Sequence, residues 1–361
     1  FDAWPNKNDW YETVKLNYGV DYMNNTGNHF DPVPDTWKKM RDILLFWSSK
    51  GIDGFRCDMA EMVPCEFWGW VIPQIKQKHT KLTFIAEVYN PNEYRNYIHN
   101  GHFDYLYDKV GLYDTLRALT CGYASATAIT GCWQSVNDIQ SHMLNFLENH
   151  DEQRIASEFF AGDARKALPA LIVSACMNTN PMMIYFGQEL GEPGMDSEGF
   201  SGRDGRTTIF DYWSVDSIRR WSNHGRYNLH LLNDQEKELR HFYQTVLTLC
   251  NKEKAISKGE FFDLMYVNSD GWMMNPHRQY VFMRKCDDEL LLIITNFDSI
   301  PVNVSVNIPQ HAFDFWGMRQ YLEIKSRDLL TGKSEKIAFC ADKPVVTDVP
   351  AYGGKILKIK L

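Results

Sequence analysis

Three short segments of this 361-residue chain each end an apolar stretch at or near a carboxylate. They are Gly54-Phe55-Arg56-Cys57-Asp58, Phe84-Ile85-Ala86-Glu87 and Phe146-Leu147-Glu148-Asn149-His150-Asp151. About one strand–helix unit separates Asp58 from Glu87, and about two separate Glu87 from Asp151. That spacing puts three carboxylates at the same end of three strands of one parallel sheet. Cleavage of a glycosidic bond needs such a set. One carboxylate attacks or stabilises an oxocarbenium-like carbon, and one carboxylic acid protonates the leaving oxygen. Arg56 lies two residues before Asp58, on the same strand face, where its charge keeps Asp58 ionised. Burial and neighbouring negative charge are expected to hold a proton on Glu87. Asp151 and His150 are placed to bond sugar hydroxyls. For any one of these carboxylates, a helix N-cap or a solvated strand end is the competing reading, and spacing alone does not name the reaction.

The elements that must position these groups alternate. Asp31-Pro32-Val33-Pro34-Asp35 opens a helix whose apolar residues Trp37, Met40, Leu44 and Trp47 recur on one face, and Gly51 ends it. A strand at 51–58 follows, then a helix over 64–79 with Pro73 as a kink. Next come a strand at 82–87, a helix opened by Asn90-Pro91 and a weak strand at 103–106. A strand at 143–148 leads to a helix over 164–177 kinked at Pro169, a strand at 182–186 and a helix over 235–250. Repeated strand–helix units imply parallel strands with helices outside, and active sites at the strands' C-terminal ends. From about Lys258 the texture changes to VFMRK, LLLIITNF, VNVSVNI, KPVVTDVP and GGKILKIKL, which reads as an antiparallel sandwich. The fold class expected is therefore α/β, with a parallel strand–helix domain over 1–257 and a β-sandwich domain over 258–361. The polar stretch 192–207, with four glycines, reads as a binding loop or a plain surface loop.

Composition narrows the partners. The net charge is −8, with no basic block to neutralise phosphates, so nucleic acid is not expected. No run of 18 apolar residues exists, so no membrane span is expected. The eight cysteines form no CxxC pair and read as reduced thiols, which favours a cytoplasmic setting and leaves periplasmic or secreted placement open. Aromatics make up 14%, a surplus that suits sugar stacking, although most rings are expected in the core.

GFRCD, FIAEVYN and FLENHDEQR resemble, in residue type, order and spacing, three signature regions of the α-amylase family of retaining (β/α)8-barrel glycoside hydrolases. PMMIYFGQELG resembles the family's last-strand motif, and DWYETVKLNY the segment before its fourth strand. The resemblance implies a partial (β/α)8 barrel, strands four to eight, followed by the family's C-terminal sandwich. It implies Asp58 as nucleophile, Glu87 as general acid/base and Asp151 as transition-state stabiliser. Arg56, His150, Asn149 and Tyr89 would bind substrate. The implied reaction is retaining cleavage of α-1,4-glucans such as starch and maltodextrins through a covalent glycosyl-enzyme. An α-glucan transferase or isomerase of the same family is the alternative, and a non-catalytic glucan-binding remnant a third.

The first signature, Asp-x-x-x-Asn-His, is missing, because Asn28-His29 lacks a preceding strand. The chain is thus expected to be the C-terminal part of a longer enzyme, and its open sheet edges to favour self-association. Glu61 and Met62 stand where many relatives carry Lys-His. No cofactor is therefore assigned, and calcium stays an option whose usual ligand segments are mostly absent. Asp204 and Arg206 are weaker candidates for sugar contacts. Cys57 is expected to point away from the site, and Trp68 and Trp70 to be core.

Overall fold

The computed structural model describes residues 16–209, 214–269, 271–272 and 274–361. Most of DWYETVKLNY lies outside the described residues. The chain divides into two compact units. One comprises Phe1–Val110 with His142–Leu144, the other Gly111–Ser141 with Asn145–Leu361.

In the first unit a small hairpin, β1 (Val20–Asp21) and β2 (Gly27–Asn28), precedes helix α1 (Asp35–Ser48). Trp37 anchors α1. Its ring meets Phe30, Phe67 and Trp70 at 5.0, 5.6 and 5.7 Å, and its Nε1 donates to the Tyr18 carbonyl at 2.9 Å. The expected apolar face is buried only at this end, since Trp47 is 52% exposed. The ring contacts that cover α1 gather on Trp37, whereas Trp47 meets only its neighbour Phe46, itself exposed, among the described rings.

Strand β3 (Gly54–Cys57) leads through α2 (Cys65–Lys78) to β4 (Thr83–Ala86), and α3 (Tyr94–His99) leads to β5 (Tyr105–Tyr107). The strands are parallel, with Cys57 opposite Ala86 and Ala86 opposite Leu106. Gly54 is required where it stands, because a Cβ there would lie 2.2 Å from the Thr83 carbonyl oxygen. Helix α2 runs through Pro73 and buries Phe67, Trp68, Val71, Ile72 and Ile75, one helical face. Trp68 is core as expected, while Trp70 is half-buried. Helix α3 starts later than Asn90-Pro91, because Asn90 folds into a turn first, its Oδ1 accepting from Asn92 N–H at 3.1 Å. The first half of β6 (Met143–Phe146) pairs with β5, Leu106 opposite Met143.

In the second unit α4 (Asp114–Thr120) and α5 (Ala128–Ser135) come before the second half of β6. That half pairs in parallel with β7 (Met182–Met183), Asn145 opposite Met182. Between them lies α6 (Leu168–Cys176), buried at eight of its nine positions. Pro169 does not kink it. A short 3-10 turn (Ala164–Ala167), capped by Asp163, ends just before α6, so Pro169 falls in the helix's first turn, where its missing N–H costs nothing. Then follow α7 (Asp216–Ser222), α8 (Asp234–Lys252) and α9 (Lys254–Ser257). A reciprocal capping box starts α8: Asn233 Oδ1 accepts from Glu236 N–H at 2.9 Å and Glu236 from Asn233 N–H at 2.8 Å.

The antiparallel part starts at β8 (Glu260–Asp263) and continues with β9 (Gln279–Cys286), β10 (Glu289–Asn296), β11 (Val302–Val306), α10 (Gln310–Trp316), β12 (Tyr321–Asp328), β13 (Ser334–Phe339), β14 (Val345–Val349) and β15 (Gly353–Lys360). Six strands form one sheet, ordered β13-β12-β15-β10-β9-β8, and β11 pairs with β14. One hydrophobic core joins α6 and α8 to the inner faces of these strands. Arg284, buried in β9, donates to the carbonyls of Ala255, Met177, Ile256 and Gly259 at 2.7–3.0 Å. It thereby satisfies helix-end acceptors that burial would otherwise orphan. Burial without a carboxylate partner pulls its pKa down to about 10. The fold is α/β, five parallel strands followed by antiparallel sheets, in agreement with the sequence. Among the described residues no helix is long and apolar enough to cross a membrane.

Candidate active site

In the first unit, β3 and β4 end in register, so Asp58 and Glu87 follow the same end of a parallel pair. Arg56 joins them. Its guanidinium pairs with the Asp58 carboxylate and lies 3.1 Å from Glu87 Oε2. Glu87 is buried, 6% exposed, whereas the Asp58 side chain is 72% exposed. Met59 N–H donates to Glu87 Oε2 at 2.8 Å and Tyr89 OH to Oε1 at 2.7 Å. Met59 adopts a left-handed backbone (φ 42°) as its N–H meets Glu87. The groups on the Glu87 oxygens are thus donors rather than the neighbouring negative charge expected from sequence, because Arg56 reaches both carboxylates. Burial works against the Arg56 charge, but Tyr107, Glu87 and Asp58 together raise its pKa above the ordinary arginine value.

Tyr89 turns its phenol onto Glu87, and Lys109 Nζ lies 5.9 Å from the centre of its ring. Sequence reading missed Tyr107. Its hydroxyl accepts from Arg56 Nε at 3.4 Å, and its ring lies 5.5 Å from the guanidinium carbon. The signal was present, since Tyr105 and Tyr107 alternate onto one face of the strand that carries no carboxylate. Cys57, next in sequence to Asp58, is buried, and burial pushes its thiol up to about 12, so it is no nucleophile at neutral pH.

In the second unit, β6 runs into Asn149-His150-Asp151. Asn149 Oδ1 accepts from the N–H groups of Asp151 and Glu152 at 2.9 and 2.8 Å, which turns the chain sharply. His150 Nε2 lies 3.1 Å from Asp151 Oδ2. The buried Asn149 Nδ2 has no hydrogen-bond partner among the described residues. Beneath this turn Glu148 and Arg154 form an ion pair of 2.9 Å, and Ile155 N–H donates to the other Glu148 oxygen at 2.7 Å. Arg154 also donates to Thr207 Oγ1 at 3.1 Å and stacks 4.2 Å from the Tyr185 ring centre.

The 192–207 loop is tied down from this side, Arg154 N–H donating to the Gly205 carbonyl at 2.7 Å. A Cβ on Gly205 would lie 2.9 Å from Ser157 Oγ. Asp204 and Arg206 serve the loop itself. Asp204 accepts from Ser201 and Arg206 N–H groups, and the Arg206 guanidinium lies 5.3 Å from the Phe200 ring centre. The structure therefore gathers Arg56, Asp58, Glu87 and Tyr89 in one unit and Asn149, His150 and Asp151 in the other. Among the described residues no group of three or more His, Cys, Asp or Glu side chains is placed to hold a metal ion, so calcium rests on the resemblance alone.

Asp58 and Glu87 thus follow parallel strands of the first unit, Asn149-His150-Asp151 follows β6 in the second, and the antiparallel strands come later in the chain. The family model for the α-amylase catalytic domain matches residues 32–259, and the chain belongs to the α-amylase family. It is 23% identical over 274 residues to a cyclomaltodextrinase of a Bacillus species, covering 73% of this chain and 42% of that protein. A shorter stretch of 57 residues is 37% identical to the α-1,4-glucan:maltose-1-phosphate maltosyltransferase of Cereibacter sphaeroides, covering 16% and 10%. The chain thus spans less than half the length of these curated relatives. The fold matches that of the maltogenic α-amylase AmyB of Thermotoga neapolitana with a TM-score of 0.63 at 17% identity, over 95% of this chain and 72% of the other.

Proposed function

We propose that the chain carries the chemistry of a retaining glycoside hydrolase acting on α-1,4-glucans. The observation that supports this most is the Arg56 bridge between Asp58 and the buried Glu87. It holds an exposed carboxylate beside a second, buried carboxyl group that is fixed by Met59 and Tyr89. In this reading Asp58 attacks the anomeric carbon while Glu87 protonates the departing oxygen. Glu87 then deprotonates the water that releases the sugar, with net retention. Asp151 favours the distorted ring, and His150, Asn149 and Tyr89 contact sugar hydroxyls. The domain division at 257/258 belongs to the same reading, as does a glucan oligosaccharide or polysaccharide substrate.

Transfer to a sugar acceptor is the second reading. It is supported by the short match to a maltosyltransferase. Maltoheptaose separates the two. Hydrolysis yields only shorter products, and transfer yields products longer than seven glucose units. No change in chain length under either condition would overturn both.

We further propose self-association through sheet edges. Among the described pairings β3 pairs only with β4, and β7 only with β6. Sedimentation velocity at rising protein concentration is expected to show a dimer or larger species, and a monodisperse monomer throughout would refute it.

A further inference from the structure

The second unit carries an exposed aromatic face that none of the residues above uses. It follows from the alternation of β8. Phe261 and Asp263 point one way: Phe261 packs 5.2 Å from the Trp133 ring, and Asp263 Oδ2 accepts from Trp133 Nε1 at 2.8 Å and Tyr280 OH at 2.9 Å. Phe262 must then point the other way. It stands amid four rings, with centroids 6.4 Å away at Tyr266, 5.7 Å at His311, 5.8 Å at Phe315 and 5.5 Å at Trp316. Helix α10 supplies the last three. Ala312 and Phe313 face its core side, while His311 and Phe315, four residues apart, share the outer face. Tyr266 and Phe315 are 57% and 58% exposed.

The rim of this face is polar and already oriented. Trp316 Nε1 donates to Glu260 Oε2 at 2.7 Å, Tyr266 OH lies 3.4 Å from His311 Nδ1, and Gln310 Nε2 donates to Asp314 Oδ1 at 2.8 Å. Rings tilted at 47–66° to one another make a stepped apolar surface, edged by carboxylate, amide and imidazole groups. A pyranose chain matches that pattern. Its C–H faces lie against aromatic rings, and its hydroxyls meet acceptors at the edge. Two carboxylates on the rim, Glu260 and Asp314, disfavour an anionic ligand, and rings edged by polar groups that are already oriented suit a neutral sugar chain.

We propose that this face, built on Phe262, Tyr266, His311, Phe315 and Trp316, is a second binding site for neutral α-glucan chains. The identity of the glucan rests on the functional reading above, but the site's occupancy does not depend on cleavage. The test is adsorption of the full chain carrying Glu87→Gln to insoluble starch, with cellulose as the control polymer. The comparison is the same chain with Tyr266→Ala and Phe315→Ala added. Both side chains are largely exposed, so the fold tolerates their loss, and circular dichroism checks that it does.

Starch binding is expected to weaken about tenfold or more in the double variant, through loss of two stacking rings. Cleavage of maltotriose by the corresponding variant with Glu87 intact is expected to stay unchanged. Equal adsorption by parent and double variant overturns the proposal. So does equal adsorption to starch and cellulose, absence of adsorption by the parent, or a change in oligomeric state in place of a change in starch binding. Adsorption through this face by a chain that cleaves nothing would leave the second site standing and remove the hydrolase reading. Cleavage without adsorption would do the reverse.

Discussion

Replacing Glu87 by Gln is expected to lower turnover of maltoheptaose by about 10²–10⁴-fold, the usual contribution of a positioned general acid. The same variant should lose far less on α-maltosyl fluoride. Fluoride departs without a proton, so the first step no longer needs the Glu87 carboxyl, and the defect should move to the second step, where water must be deprotonated. A burst of fluoride followed by slow release of maltose is the expected time course. The two donors sit on different oxygens, Met59 N–H on Oε2 and Tyr89 OH on Oε1, so the amide keeps an acceptor for one of them and turns its NH2 to the other. Stability is read alongside activity, since the amide nitrogen at the other position faces a donor. An equal loss on both substrates would point to a binding or folding defect rather than to proton transfer. No loss on either would remove Glu87 from the mechanism. Asp58→Asn serves as the contrast, because a missing nucleophile should abolish both reactions whatever the leaving group.

The readable parts of the sequence are those where local pattern and tertiary demand agree. Parallel strands 54–57, 83–86 and 143–146 lie where apolar runs end in carboxylates, and α8 lies where Asn233 and Glu236 write its start. Asp58, Glu87, Arg56 and Tyr89 are legible as a group because they sit within three residues of strand ends that pair in register. What could not be read depends on contacts distant in sequence. Tyr107 joins the cluster only because β5 lies beside β4, bringing its hydroxyl to an arginine 51 residues earlier. The resemblance implies Tyr89 only as a substrate contact, and its bond to Glu87 is a matter of rotamer, which spacing does not encode. Pro169 was read as a kink for a related reason. The pattern over 164–177 gives no sign that its first four residues form a separate 3-10 turn. Trp47 fits the apolar rhythm of α1, yet periodicity says only which side of a helix is apolar and nothing about what lies against it.

The largest expected effect on stability lies beneath Asn149-His150-Asp151, at a pair that sequence reading passed over although both partners stand in FLENHDEQR. Glu148 and Arg154 are both buried, and their 2.9 Å contact is supported by Ile155 N–H and Thr207 Oγ1. Replacing Arg154 by Met keeps most of the volume and leaves a buried carboxylate without its cation, which costs about 3–5 kcal/mol. It also releases the Gly205 side of the 192–207 loop from the Thr207 contact, while the backbone bond of residue 154 to Gly205 remains.

The pH dependence of that loss has a definite sign. Burial already raises the Glu148 pKa above the ordinary carboxylate value, with Arg154 pulling it back down. Without Arg154 the folded-state pKa rises further, so the folded variant binds a proton that the unfolded chain has released. A group raised in this way gives stability below its unfolded pKa and loses it as pH climbs through the folded one. Arg154→Met should therefore be much less stable than the parent at pH 8 and recover part of the difference towards pH 5, read from urea midpoints at each pH. Arg154→Met with Glu148→Gln removes the charge and should flatten that dependence. A variant whose deficit is constant from pH 5 to 8 would mean that Glu148 is not the group left uncompensated, and that packing against Tyr185 rather than charge accounts for the loss.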